Sequence, residues 1–268
     1  MYKKRHINPK IRNLRPKKRF WKKPLFWIVL TAILIIAILW FALFYSKFQI
    51  KNIEIFGNEK VKTEDIQQNA FANLNKKILT TGFLNISSRS VFVVDTNNIL
   101  KNLLNKFPEI ESIQIQKKFP DSITLKVKER QPVAVFCQSA DNCFLIDQNG
   151  VIFQKRQSTS SDMVITKEQS DKNIFAGENI IDKKIMDAIL KVQNNLKNNL
   201  QVNVKEAFVS NPLIFTTSEN WKIYFDPTEN MDAQIIKMDA LLKDQITPDA
   251  RKKLQYIYLQ YKDRAYYK

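Results

Sequence analysis

Leu25 to Tyr45 (LFWIVLTAILIIAILWFALFY) runs for 21 residues without a charge, a Gly or a Pro, and Thr31 is its only small polar residue. As a helix it rises roughly 30 Å, the thickness of a bilayer's hydrocarbon core. A secretory signal carries an apolar stretch of about 7–15 residues and then small residues at a cleavage site. This run is longer and leaves through Phe44-Tyr45-Ser46-Lys47-Phe48. It reads as an uncleaved membrane anchor over 25–45, the alternative being a buried core helix. Trp21, Trp27, Trp40 and Tyr45 sit near its two ends, where amphipathic rings suit the headgroup region.

Charge gives the span a direction. Residues 1–24 hold eleven Lys or Arg and no acid, which leaves 32 basic against 26 acidic residues in the rest of the chain. The formal +17 therefore describes a tail and not a basic globular domain. Positive charge flanks the cytoplasmic end of a span, so 1–24 is a cytoplasmic tail and the chain beyond about Lys47 lies outside a cytoplasmic (inner) membrane. A polybasic stretch beside a span suits anionic lipid. Nucleic acid is the other partner such a stretch could take, but the tail carries no folded motif for it, and no nucleic-acid partner is expected.

No other stretch approaches 18 apolar residues, so a single crossing is expected. Phe48-Gln49-Ile50 and Ile53-Glu54-Ile55 read as a strand that stops at Gly57-Asn58. Thr63 is placed to cap a helix with Glu64 and Asp65 in its first turn, running to about Leu74. Asp95 or Thr96 opens a second helix, with Ile99, Leu100, Leu103, Leu104 and Phe107 on one face and Pro108 as its stop. Lys76 to Arg89 is polar and poorly periodic and reads as loop. Ile113-Gln114-Ile115 and Ile123 to Lys128 are alternating strands joined through Phe119-Pro120-Asp121, one face apolar and the other rich in lysine (Lys117, Lys118, Lys126, Lys128). That face can meet acidic partners or anionic envelope polymers, or be simply solvated, which is the reading preferred. The order is β-α-α-β-β over 46–130.

A second unit follows over 131–268. Val133 to Cys137, Cys143 to Asp147 and Val151 to Phe153 form strands, the last pair joined at Asn149-Gly150, a dipeptide suited to positive φ. Asp182 caps a helix bearing Ile185, Ile189, Val192 and Leu196, and Thr228 caps another bearing Met231, Ile235, Met238 and Leu242. Val204–Val209, Leu213–Thr217, Trp221–Phe225, Leu254–Leu259 and Arg264–Tyr267 are further strands. The fold class is α+β: one N-terminal transmembrane helix, a β-α-α-β-β domain, then a mostly antiparallel β domain with two helices.

The chemistry available is narrow. The only His, His6, lies in the tail, so the region beyond the span has no imidazole for nucleophilic catalysis or a His-bearing zinc site. Four Gly in the whole chain leave no phosphate-cradling loop. No catalytic residue, metal site, cofactor or small-molecule substrate is expected, and the protein is read as not an enzyme. Cys137 and Cys143 flank a five-residue loop between antiparallel strands, where a disulfide fits an oxidising compartment; two buried thiols are the alternative. Asn85-Ile86-Ser87 matches a glycosylation pattern too common to carry weight.

The ordered set of parts resembles one family. Phe48 to Asn58 is similar to the opening strand and Gly-Asn turn of the POTRA module of the bacterial cell-division proteins FtsQ, also called DivIB. Phe119-Pro120-Asp121-Ser122-Ile123 and the run Glu129-Arg130-Gln131-Pro132-Val133-Ala134 resemble that family's hairpin and its ERxPVA stretch, Asp147-Gln148-Asn149-Gly150 its D-x-x-G turn, and Tyr256 to Lys268 its last two strands. Ile257-Tyr258-Leu259-Gln260 stands where the family usually has I-D-L-R, so a charged pair there is not carried over, and the Cys pair is not a family hallmark. The resemblance implies a non-enzymatic divisome scaffold at the division septum that recruits or regulates FtsB/DivIC-like and FtsL-like proteins and septal peptidoglycan synthesis. The alternative is a POTRA-bearing component of a protein-translocation or envelope-assembly system.

An open final strand offers unpaired N–H and C=O groups to an incoming segment. Asp263 to Lys268 is the candidate edge, with Tyr261, Arg264, Ala265, Tyr266 and Tyr267 as partner-binding residues. The alternative is that its tyrosines only pack beneath the preceding strand. A second contact surface is expected on the first domain, at the edge of Phe48 to Phe56 or its neighbouring helix.

Overall fold

The structure is a computed structural model that describes residues 23–81, 84–139, 141–156, 163–168 and 173–268. His6, Trp21 and the tail before Lys23 lie outside the described residues. Helix α1 (Pro24–Phe44) opens on Pro24 at its first turn, where the missing N–H would have no partner. None of its residues is buried in the protein, and among the described residues it is the one helix long and apolar enough to cross a membrane.

A short 3-10 turn, Ser46–Phe48, leads into the membrane-proximal domain. Strand β1 (Asn52–Phe56) ends at Gly57, whose φ is +87° and where an added Cβ would lie 2.3 Å from the Val127 carbonyl oxygen, so only Gly fits. Helix α2 (Thr63–Ala72) begins one residue earlier than the capping pattern implies. Lys62 is the cap residue, and the Thr63 hydroxyl accepts a bond of 2.9 Å from the Asn58 amide instead of capping the turn. Lys76 to Arg89 is not a loop. Strands β2 (Lys76–Thr81) and β3 (Leu84–Ser88) pair antiparallel. They form a sheet of only two strands, and a ribbon paired with itself need not show the alternation that marks a half-buried strand.

Helix α3 (Thr96–Lys106) is capped by Asp95, whose carboxylate accepts from the Asn98 N–H at 3.1 Å. Strands β4 (Ile110–Lys118) and β5 (Ser122–Glu129) pair antiparallel, and β1 adds to β5 in parallel, giving the order β1-β5-β4. Ile53, Ile66, Ala70, Ile99, Leu103, Ile113, Ile123 and Leu125 form the core beneath α2 and α3. On the opposite face two of the lysines are paired, Lys118 with Glu54 and Lys128 with Glu111, both at 2.8 Å.

The distal domain is built on one nine-stranded sheet. In chain order its strands are β6 (Ala134–Ser139), β7 (Asn142–Ile146), β8 (Ile152–Arg156), β9 (Val164–Lys167), β10 (Val204–Val209), β11 (Leu213–Thr217), β12 (Lys222–Phe225), β13 (Tyr256–Tyr258) and β14 (Tyr266–Tyr267). Their spatial order is β14-β13-β12-β11-β10-β9-β6-β7-β8. Five of the eight neighbouring pairs are antiparallel, so the α+β reading with a mostly antiparallel second domain is borne out. Strand β9 was not foreseen; at four residues it is too short to show a pattern, yet it joins the two halves of the sheet through parallel pairs to β6 and β10.

Helices α4 (Lys183–Leu200) and α5 (Met231–Ala240) cover one face and bury Met186, Ile189, Val192, Leu196, Ile235 and Met238 against Ile165, Ala207, Phe215, Ile223 and Ile257. Asp182 caps α4 as expected. The cap of α5 is Asn230 and not Thr228: the Asn230 side chain accepts from the Ala233 N–H at 3.2 Å, while Thr228 is held in the preceding turn by Asp226. A π-helical turn, Leu241–Gln245, and the short helix α6 (Pro248–Arg251) complete the layer.

Two buried carboxylates fix the joints. The Glu129 carboxylate, at the end of β5, accepts from the N–H groups of Glu59, Lys60 and Val61 at 2.9–3.0 Å and so locks the turn before α2. Burial alone would raise this carboxyl, but those three backbone donors outweigh it and hold the group below its usual 4.5. Asp147, in the turn after β7, accepts from Asn149 N–H (2.9 Å) and Val151 N–H (3.0 Å) and pairs with Arg130 at 2.5 Å. Arg130 also donates to the Pro108 carbonyl at 3.0 Å, so this one side chain ties α3's exit in the first domain to the β7–β8 turn of the second.

Glu129→Gln is expected to lower unfolding free energy by about 1–3 kcal/mol at pH 7. Because the folded pKa of Glu129 is depressed, its stabilisation is present above the unfolded pKa and lost as pH falls through the folded one. The difference between wild type and Glu129→Gln in denaturant melts should therefore shrink in the window below about pH 4.5. Arg130→Ala leaves a charged Asp147 buried and is expected to cost about 3–5 kcal/mol in the same assay; adding Asp147→Asn should recover part of that loss.

Candidate functional site

The candidate site is the β14 end of the large sheet. Ile257 pairs with Tyr267 and Tyr258 with Tyr266. Beyond them the Lys268 N–H donates to the Tyr256 carbonyl at 3.2 Å, and the Lys268 carbonyl accepts from the Gln255 N–H at 2.5 Å and from the Tyr256 N–H at 3.4 Å. Antiparallel bonding alternates along a strand. Since Tyr256 and Lys268 bond across the pair, Tyr258 and Tyr266 do so two residues on, and the N–H and C=O of Tyr267 point to the open side. β14 is the edge strand of the sheet, so among the described residues these groups face no neighbouring strand.

Two residues of ladder would hold such a strand poorly. The turn that delivers it is instead gathered by Lys237 of α5, whose ammonium donates to the carbonyls of Leu259 (3.1 Å), Lys262 and Arg264 (both 3.4 Å) and also to that of Tyr261. Shallow hollows of about 200 and 260 Å³ lie on either side of Lys237, one lined by Ala233, Gln260 and Tyr261 and the other by Asp244, Arg264 and Ala265.

The five residues singled out from the sequence are distributed as follows. Tyr266 and Tyr267 are each 47% exposed. Tyr261, at the turn, packs edge-on to Tyr266 with ring centroids 5.3 Å apart. Arg264 donates to the Tyr266 hydroxyl at 3.3 Å, which raises its already high pKa. Ala265 is half-buried against the distal core, so it seats the strand more than it offers a contact. Cys137 and Cys143 stand opposite each other in β6 and β7 and are joined in a disulfide, their Cα atoms 4.1 Å apart. They pack with Val135, Leu145 and Val164 on the face away from the helices.

Sequence reasoning missed the residues that extend the site inward. Register places Phe208, Ile214, Tyr224, Tyr258 and Tyr266 side by side across β10, β11, β12, β13 and β14. The first four are half-buried and Tyr266 exposed, so they form an apolar and aromatic row on the face that the helices leave open. Tyr224 and Tyr258 stack at 4.4 Å, and partial desolvation, then the Tyr224 phenol beside it, raise the Tyr258 hydroxyl above its usual value. Alternation of Tyr256 and Tyr258 with Ile257 and Leu259 is the signal that could have found half of this row; the rest depends on register across five strands. Nothing local marks Lys237. Among the described residues no cluster of three or more His, Cys, Asp or Glu could hold a metal.

Residues 48–130 match the family model described as POTRA domain, FtsQ-type. The chain is similar to the cell division protein DivIB of Clostridium acetobutylicum, 32% identical over 42% of this chain and 39% of that protein. It is also similar to DivIB of Clostridium tetani, 26% identical over 69% of this chain and 58% of that protein, and to the cell division protein FtsQ of Corynebacterium glutamicum, 24% identical over 81% and 86%. The chain spans about half the length of the first relatives it matches. The resemblance to FtsQ/DivIB read from the sequence is thus borne out, and the names of these relatives describe cell division proteins.

Replacing Lys237 with Met should loosen the β13–β14 turn while leaving the sheet folded. Hydrogen exchange is expected to speed up at Tyr261 to Tyr267 and to stay unchanged in β10 to β12.

Proposed function

We propose that this chain is a non-enzymatic scaffold of the bacterial division machinery, with its basic tail in the cytoplasm and both domains on the far side of the membrane at the septum. There it recruits or regulates FtsB/DivIC-like and FtsL-like proteins and, through them, septal peptidoglycan synthesis. The observation that carries this reading is the open edge of β14, where the outward N–H and C=O of Tyr267 lie beside exposed aromatic rings. The division role is supported by the names its relatives carry.

The mechanism is strand addition. A partner segment laid along β14 gains main-chain hydrogen bonds, and its alternate side chains meet Tyr266 on one face and Tyr267 on the other. Tyrosine gives broad contact at low conformational cost, and Lys237 holds the turn so that little ordering is left for the moment of binding.

Binding of the full chain in nanodiscs to FtsB/DivIC-like and FtsL-like ectodomains from the same cell tests this. Tyr266→Ala and Tyr267→Ala are each expected to cost about 1–2 kcal/mol, roughly a 5- to 30-fold rise in Kd. Tyr267→Pro removes an N–H that points away from β13, so it should abolish strand addition without unpairing β14. Wild-type affinity in all three folded variants would exclude the β14 edge as the contact.

A further inference from the structure

We propose that the membrane-proximal domain carries a second, peripheral membrane contact: a face built around Phe92 and Phe119 that lies in the headgroup region of the bilayer α1 crosses. The inference rests on α1 as a span and is independent of the division role.

The geometry begins at the end of α1, whose last carbonyls have no partner within the helix. The membrane-proximal domain supplies partners. Ser88 Oγ and Gln49 Nε2 both donate to the Leu43 carbonyl at 2.6 Å, and Ser90 Oγ donates to that of Ala42 at 2.8 Å. Ser88 and Ser90 are buried, so the contact is part of the fold and not a passing touch. The Val91 N–H donates to the Phe48 carbonyl at 2.9 Å and the Ile50 N–H to the Arg89 carbonyl at 3.1 Å, which fixes the same segment from its other side. The domain therefore stands directly on the helix end, at the level where the hydrocarbon core gives way to headgroups.

From that point a line of rings runs along the domain. Phe41, in the last turn of α1, lies 6.0 Å from Phe48; Phe48 lies 5.2 Å from Phe92, and Phe92 lies 5.3 Å from Phe119. The line starts on a residue inside the span and ends on two rings that the fold leaves open, Phe92 at 48% and Phe119 at 59% exposure. Exposed large apolar groups in a cluster mark an interaction surface, and this one continues the surface of a transmembrane helix. Lys47, Lys51 and Arg89 are exposed in the same backbone segments, against a single half-buried acid, Asp121. Cations beside apolar rings fit anionic headgroups above acyl chains. A bilayer is therefore the occupant that both the charge and the continuity with α1 select. Its consequence is that the domain is held to the membrane at two points, which sets its orientation as well as its distance.

Phe92→Cys and Phe119→Cys variants of the full chain, labelled with an environment-sensitive fluorophore, test the idea in bilayers of mixed zwitterionic and anionic lipid, with no partner protein present. Cys137 and Cys143 are joined to each other and do not compete for the label. Ile236→Cys, at an apolar and still more exposed position on α5 of the distal domain, is the control. The expected result is blue-shifted emission at both Phe positions, lost on adding a lipid that carries a shallow nitroxide, with Ile236 unaffected. Emission and quenching at both Phe positions no different from Ile236, in variants that still melt cooperatively, would overturn the proposal and leave the face to a protein partner.

Discussion

Arg130 is the side chain on which the relation between the two domains depends. Its guanidinium joins the Pro108 carbonyl, at the exit of α3, to Asp147, whose other oxygen is already committed to the backbone of the next turn. A buried ion pair gains little net stability over apolar packing, because both charges must leave water. What it does is penalise every arrangement in which they separate. The hydrogen bond from Arg130 N–H to the Glu109 carbonyl, at 2.8 Å, continues the β4–β5 ladder and fixes the backbone from which the Arg130 side chain reaches across. The nine-stranded sheet is thus held in one pose on the membrane-proximal domain, with the pair acting as a register device more than as a source of stability.

The other joint works on the same logic at lower cost. A span that ends in a loop leaves its last carbonyls to water or headgroups; here hydroxyls and an amide from the folded domain occupy two of them. These are neutral hydrogen bonds, each worth about 1 kcal/mol net, but together with the Phe41, Phe48 and Phe92 rings they leave the domain few directions in which to tilt. With both joints fixed, the position of β14 relative to α1 is a property of the folded chain. A partner that is itself anchored in the membrane would meet that edge at a set height, which favours binding by raising effective concentration.

Much of this architecture was legible because it rests on local patterns. The span announces itself by length, α3 and α4 by a 3.6-residue stripe behind an Asp cap, and β4 and β5 by strict alternation. The failures share a cause. The β2–β3 strands pair only with each other, β9 is four residues long, and Asn230 and Thr228 are both capping residue types, with Thr228 held in the preceding turn by Asp226 two positions before it. In the candidate site, Tyr266 and Tyr267 could be named from their place in the last strand. Lys237, Tyr224 and Ile214 could not, since what brings them to the site is the pairing of β11 to β14 and the packing of α5 across it.

An open edge strand is ordinarily a hazard, and proteins blunt it by shortening it, charging it or covering it. Here β14 is only two residues long and its neighbours Asp263, Arg264 and Lys268 are charged, which discourages indiscriminate pairing. Its open face is nevertheless aromatic, and it is held flat by an ammonium that reaches in from α5 and not by a long ladder. These features conflict if the edge is merely to be silenced, because a shorter or bulged terminus without the tyrosines would do that better. They agree if the edge is to accept one segment and refuse others. Brevity and charge set a threshold that main-chain bonding alone does not meet, and the row from Tyr266 back to Phe208 supplies the remaining contact only to a partner whose side chains reach across several strands.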